Sequence, residues 1–173
     1  MKTILSFITI SLFLSLSCQA QEIKSFKIKE EGNYVSVLPK IDTVPSDFIN
    51  QSYQVKKSTP YISEVVKNVT KRCLSPELAQ KIIGKRVPVT LLFNSAGEVF
   101  YFQFIYPKEL KPFIREDDLL KLYQGYRAIR FDMSRIDTTP MNGYEYLGEF
   151  KYGTWGFNLG KLAELVVLQP DVE

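Results

Sequence analysis

Val87-Pro88-Val89-Thr90-Leu91-Leu92-Phe93-Asn94-Ser95-Ala96-Gly97-Glu98-Val99-Phe100-Tyr101-Phe102-Gln103-Phe104-Ile105-Tyr106 sets two runs of β-forming residues around a polar break that ends in glycine. That arrangement predicts a β-hairpin, because glycine accepts a positive φ cheaply and the flanking runs are rich in branched and aromatic residues. A type I turn on Ser95-Ala96 with Gly97 left-handed pairs Asn94 with Glu98. In an uninterrupted register Val87, Val89, Leu91 and Phe93 lie beside Val99, Tyr101, Gln103 and Ile105, while Phe100, Phe102 and Phe104 share the other face. A bulge around Phe100-Tyr101 instead brings Phe102 and Phe104 onto the valine face and turns Tyr101 outward. One face is expected to lie under helices, and the other under a further layer, a partner chain or nothing but its tyrosines. Pro88 has no N–H for a ladder, so the first strand starts at an edge or with that position facing outward.

The helices for the covered face precede the hairpin. Thr59-Pro60 is a hydroxyl cap followed by proline at a first helical position, after which Ile62, Val65, Val66 and Val69 repeat at helical spacing. Ser75-Pro76-Glu77 starts a second helix with Leu78, Ile82 and Ile83 on one side, stopped by Gly84. Downstream, Lys108 to Pro112 reads as a connection. Arg115-Glu116-Asp117-Asp118 places acids in the positive first turn of a helix with Leu119, Leu122 and Tyr123 on its buried side, and Gly125 is expected to end it. Ile129 and Phe131 alternate as in a short strand. Tyr144, Tyr146, Phe150 and Tyr152 alternate with Glu145, Glu149 and Lys151, a strand solvated on its charged side. Trp155 and Phe157 follow between glycines, and Asn158 can cap a final helix carrying Leu159, Leu162, Ala163 and Val166; the stretch from Leu165 to Leu168 fits a strand equally well.

Towards the amino terminus, Phe26 and Ile28 alternate with lysines before Glu31-Gly32-Asn33, and Tyr34, Val35 and Val37 follow. A short hairpin fits, as does a segment wrapping loosely over the later domain. Residues from Pro39 to Lys57 keep no period and read as linker. Lys2, the apolar run from Ile4 to Leu16, and Cys18 and Ala20 three and one positions before Gln21 make a secretory signal peptide cut before Gln21. The run is too short for a comfortable transmembrane anchor. The alternative is a lipoprotein signal with the lipid anchor at Cys18, although Ser15 stands where such signals prefer leucine. These readings divide the chain into a signal peptide at 1–20, an extension at 21–57, one α+β domain at 58–168 and a tail at 169–173. The expected fold is a small antiparallel sheet built on a central β-hairpin with helices on one face, a β-β-α-β core.

A chain of 173 residues with 45% hydrophobic and 24% charged residues has the composition of an ordinary globular domain. Its net charge of +3 is too balanced for a nucleic-acid protein. There is no histidine, which removes the commonest base near neutral pH and the commonest zinc ligand. Once the leader is gone Cys73 is the one cysteine left, so no internal disulfide forms, and with no histidine to activate it Cys73 reads as a small half-buried hydrophobe. Asp117 and Asp118 point to different sides of a helix, and Glu30-Glu31 is the other acidic pair. Lys71-Arg72 and Lys85-Arg86 read as solvated surface. No catalytic residue, cofactor site or metal site emerges. The remaining oddity is the aromatic content, 13% of the chain: exposed tyrosines on a sheet face anchor partners, and Tyr101, Tyr144, Tyr146 and Tyr152 are the candidate partner-binding residues.

The capped helix at Ser75-Pro76-Glu77-Leu78, the hairpin with its Asn-x-x-Gly turn, the following helix and the last aromatic strand resemble a group of small secreted Bacteroidetes proteins of unknown function. The β-β-α-β order also looks like the carboxy-terminal domain of TonB-type energy transducers. The first resemblance implies export to the periplasm or beyond and supplies no catalytic residue. Two functions remain open on the residues: an exported, non-enzymatic module that binds a protein or envelope component through a sheet edge or tyrosine face, and a secreted carboxylate-dependent hydrolase acting on glycans.

Overall fold

In a computed structural model, which describes residues 25–40, 44–46, 52–54, 60–136 and 151–168, the strands are β1 Phe26–Glu31, β2 Tyr34–Pro39, β3 Ser52–Gln54, β4 Pro88–Asn94, β5 Val99–Pro107 and β6 Tyr152–Asn158. The helices are α1 Pro60–Cys73, α2 Pro76–Ile82, α3 Glu116–Arg127 and α4 Leu159–Leu168. The sheet runs in the order β1-β2-β5-β4-β6-β3, antiparallel except for the short β3, which lies parallel to β6. The expected α+β class is present, and β4, β5, α3 and β6 follow in β-β-α-β order, but the last strand is Tyr152–Asn158 rather than Tyr144–Tyr152, most of which lies outside the described residues.

The hairpin closes in the expected register. Asn94 donates its N–H to the Glu98 carbonyl at 3.0 Å, and Gly97 has φ +78°. The Asn94 side chain holds the loop from inside, its Oδ1 accepting from the N–H groups of Ala96 and Glu98 at 3.0 Å each. Phe93 pairs with Val99 but Leu92 with Tyr101, so Phe100 is an extra residue in a bulge. Beyond it Phe102 and Phe104 join Val89, Leu91 and Phe93 in the core, while Tyr101, Gln103 and Ile105 turn to the other face. One extra residue reverses the side-chain alternation, which is why the uninterrupted register does not form.

All four helices lie on the valine face. Ile62, Val66 and Val69 of α1, Leu78 and Ile82 of α2, Leu119, Leu122 and Tyr126 of α3 and Leu159 and Ala163 of α4 share one buried cluster with the strands. Ser75 caps α2 by accepting from Leu78 N–H at 3.3 Å and donates its hydroxyl to Asp118 at 2.9 Å. Asp118 is buried and also meets Arg115 at 3.0 Å. Burial alone would raise its carboxyl, but the hydrogen bonds from Arg115 and Ser75 outweigh that and hold it below the usual aspartate range. A depressed carboxylate stabilises fully above its ordinary value of 3.8 and loses that contribution as pH falls through the folded value. Asp118→Asn is therefore expected to cost about 1.5–3 kcal/mol near neutral pH, the range for hydrogen bonds to a charged group, and denaturant titrations should show the gap to wild type closing on acidification.

Tyr126 is wholly buried, and its hydroxyl lies 2.7 Å from that of Thr70. Thr70 donates its own hydrogen to the Val66 carbonyl at 2.7 Å, so Tyr126 must be the donor to Thr70. Burial pushes the phenol well above its ordinary value of 10.0. Removing the acceptor strands a buried O–H, whereas removing the phenol oxygen leaves Thr70 with Val66. Thr70→Val should cost about 1–3 kcal/mol and Tyr126→Phe about 1 or less, compared by thermal unfolding.

Several elements differ from expectation. Gly125 does not end α3, which runs on to Arg127; a Cβ there would overlap the Cys73 sulfur and lie 3.3 Å from Val69, so the glycine serves close α1–α3 packing. The Lys108–Pro112 connection is a 3-10 helix, Lys108–Phe113, whose Lys108 N–H bonds the Asn33 carbonyl at 2.9 Å. The strand at Ile129 and Phe131 shrinks to one bridge between Glu98 and Arg130. The first hairpin forms and pairs with β5 through β2. Within the stretch read as linker, Ser52–Gln54 is a strand, created by its neighbour β6 rather than by any period of its own. The ambiguous carboxy-terminal stretch from Leu165 to Leu168 is helical. Residues 1–24 and 137–150, with the leader, Tyr144 and Tyr146, lie outside the described residues.

Candidate functional site

The face of the sheet away from the helices is set by the bulge and by strand alternation. Tyr101 of β5, Leu92 of β4 and Thr154 of β6 form one row across it, and Gln103, Thr90 and Gly156 the next. Tyr34, Ser36 and Leu38 extend the face on β2, where Gln103 donates to the Ser36 hydroxyl at 3.3 Å. Tyr34 is 44% exposed, and no helix among the described residues packs on this side. Leu92 is nonetheless only 5% exposed, so the middle of the face is shielded from solvent. Tyr152 lies on the same side in β6, opposite Asn94, and its ring meets Phe100 edge-on at 5.7 Å. Of the four candidate tyrosines, the structure thus places Tyr101 and Tyr152 on one face.

The two edges differ. β1 exposes Lys27, Lys29 and Glu31, with Lys29 and Glu31 ion-paired; the Glu31 hydrogen bond raises the Lys29 ammonium. Charge along an edge strand discourages pairing with another chain. The other edge is the three-residue β3.

Where β4 starts and β6 ends, this face is indented by a groove of about 590 Å³, lined by Arg86, Thr90, Thr154, Gly156, Asn158 and Lys161 among others. Asn158 Oδ1 accepts from Val87 N–H at 2.8 Å and from Gly160 N–H at 3.1 Å, joining the start of β4 to the start of α4 and fixing the amide orientation. Gly156 forms bare floor: a Cβ there would meet only the Val89 carbonyl oxygen, at 3.9 Å. Lys85 and Arg86 are both exposed, as the sequence predicts, but they diverge: Lys85 meets Glu109 at 2.7 Å and Arg86 lines the groove. The available signal was the strand start at Val87, since consecutive residues entering a strand diverge.

A second cavity, about 570 Å³, lies where α1 meets α2 and is lined by Lys71, Arg72, Cys73, Glu77, Lys121 and Val166 among others. Burial pushes the Cys73 thiol up, only partly offset by Arg72 and Lys121, which keeps it protonated and weakly nucleophilic. The acidic pairs diverge. Glu30 meets Lys108 and Lys111 while Glu31 meets Lys29, and Asp118 is buried while Asp117 is exposed. Among the described residues no three His, Cys, Asp or Glu side chains gather where a metal ion would fit, and no helix is long and apolar enough to cross a membrane.

No protein-family model matches the chain, and no curated protein matches it. Among solved structures the chain is similar to a DUF5043 family protein from Bacteroides uniformis, at 12% identity over 77% of this chain and 78% of that one, with a TM-score of 0.49.

Proposed function

We propose that the chain is an exported, non-enzymatic binding module of the cell envelope, holding a protein or envelope component on the open face of its sheet. The observation that carries this reading is the two-sided sheet, with one face under four helices and the other carrying the exposed Tyr34 and the half-buried Leu38, Tyr101, Ile105 and Tyr152. Aromatic side chains there offer large contact area at little entropic cost. The leader at 1–20 supports export to the periplasm or beyond as a soluble chain, with lipid attachment at Cys18 as the alternative route. The likeness expected to TonB-type carboxy-terminal domains is one of element order and adds no function. The face is favoured over a sheet edge because β1 is charged and β3 is short. It is favoured over carboxylate-dependent glycan hydrolysis because glycosidases set two carboxyl groups about 5–10 Å apart across one cleft, and among the described residues the groove is lined by none.

The test is affinity capture from envelope extracts with the mature protein, comparing wild type, Tyr101→Ala and the helix-side control Lys67→Ala. Tyr101→Ala should unfold within a few degrees of wild type and lose the captured component, while Lys67→Ala keeps it. Equal capture by all three would remove the open face as the binding surface.

A further inference from the structure

We infer that the groove at Gly156 is a saccharide subsite for an anionic sugar, a uronate-type residue bearing hydroxyls and a carboxylate; this rests on the open-face reading and gives it a ligand class. Two observations carry it. Arg86 and Lys161 both line the groove, both are exposed, and neither has an ion-pair partner among the described residues, whereas Lys85, Lys108, Lys111 and Arg130 each meet a carboxylate elsewhere on the surface. The groove therefore concentrates uncompensated positive charge, complementary to an acid. Beside the apolar Pro88, Val89 and Phe157, the uncharged polar lining is hydroxyl and amide: Thr90, Thr154 and Asn158, whose Oδ1 is occupied by two backbone N–H groups so that its NH2 is the end left to donate.

The side-chain chemistry favours a sugar over a peptide strand. A peptide strand is usually held by free backbone groups at a sheet edge. This groove lies over the paired faces of β4 and β6, which β3 flanks only at Tyr152–Thr154 among the described residues, and its charged and hydrogen-bonding contacts are the side chains of Arg86, Lys161, Thr90, Thr154 and Asn158. Donors of this kind match a ligand rich in acceptor oxygens. A volume of about 590 Å³ lies within the range of small-ligand sites, about 300–1,000 Å³, and the bare backbone at Gly156 lets a sugar ring approach where any larger side chain would occupy the space.

Trp155 borders the groove from the helix side and is buried in the core, so occupancy is read by titration calorimetry rather than by its fluorescence. The experiment titrates the mature protein with tetragalacturonate, with maltotetraose as the neutral control and tetraglutamate as the acidic peptide. A saturable change with tetragalacturonate alone, weakened about tenfold or more by Arg86→Gln and by Lys161→Gln, and reduced by added salt, is the expected result. Gly156→Val should fold normally, since its Cβ has room and valine suits a strand, yet abolish binding by filling the floor. The inference is overturned if tetragalacturonate gives no saturable change, if maltotetraose or tetraglutamate binds as well, or if both charge variants bind like wild type. The same three variants run in the envelope capture separate the two readings: capture that survives them but is lost in Tyr101→Ala leaves the open face standing and removes the subsite.

Discussion

Phe102→Ala is expected to bring the protein close to unfolding, with a loss of about 3–5 kcal/mol from a domain of a size usually stabilised by only about 5–15. The side chain is fully buried at the meeting point of sheet and helices. Its ring stacks on Tyr126 at 5.7 Å and on Phe104 at 6.3 Å and meets Tyr123 of α3 at 6.3 Å, so truncation opens a cavity walled by other aromatic rings with little freedom to collapse inward. Tyr101 is its neighbour in sequence but sits across the sheet, and Tyr101→Ala should cost about 1 kcal/mol or less. Urea titrations of the two variants check the bulge directly, since without the extra residue at Phe100 their roles would be exchanged. A midpoint for Phe102→Ala near wild type, with Tyr101→Ala unfolded, would refute the arrangement.

That outcome was legible in the sequence because a period-two pattern with aromatics on both faces has few resolutions, and a bulge is the one that buries Phe102 and Phe104 while keeping the Asn94–Glu98 turn. The helix stripes at Ile62, Val66 and Val69 and at Leu78 and Ile82 were legible for the same reason: periodicity reports local geometry. What escaped was set by neighbours. β6 alternates as cleanly as β5, but glycines occupy two of its positions, Gly153 directly against the Phe93 ring on the core side and Gly156 on the open side, and glycine carries no hydropathy to show a face. β3 exists only because β6 is beside it. Gly125 looked like a helix stop because isolated glycine usually is one, and only the packing of α3 on Cys73 shows its use. The groove was hidden for a related reason: Arg86 precedes β4 and Lys161 follows β6, 75 positions apart in the chain, and only the antiparallel pairing of Pro88 with Asn158 brings them to one place.

Gly97→Ala is expected to be the most damaging glycine-to-alanine change among the described residues. Two separate costs meet there. At φ +78° an alanine is held in the left-handed region, worth about 1–2 kcal/mol against an L-residue. The added Cβ would also overlap the Phe131 carbonyl oxygen and lie 2.9 Å from its carbonyl carbon. Those atoms belong to backbone fixed by the 2.8 Å hydrogen bond from Phe131 N–H to the Gly97 carbonyl and by the bridge from Glu98 to Arg130, so relief requires prising the segment after α3 away from the hairpin end. Overpacking of this kind typically adds about 1–3 kcal/mol, for a total of roughly 2–5. Gly84→Ala supplies the control: its φ of +70° imposes the same left-handed strain, but nothing lies within 4 Å of the new Cβ, so only the first cost applies. Thermal unfolding of the two variants should therefore differ by the overpacking cost alone. Equal losses would mean that the segment around Phe131 yields freely and that the bridge to Glu98 contributes little to the fold.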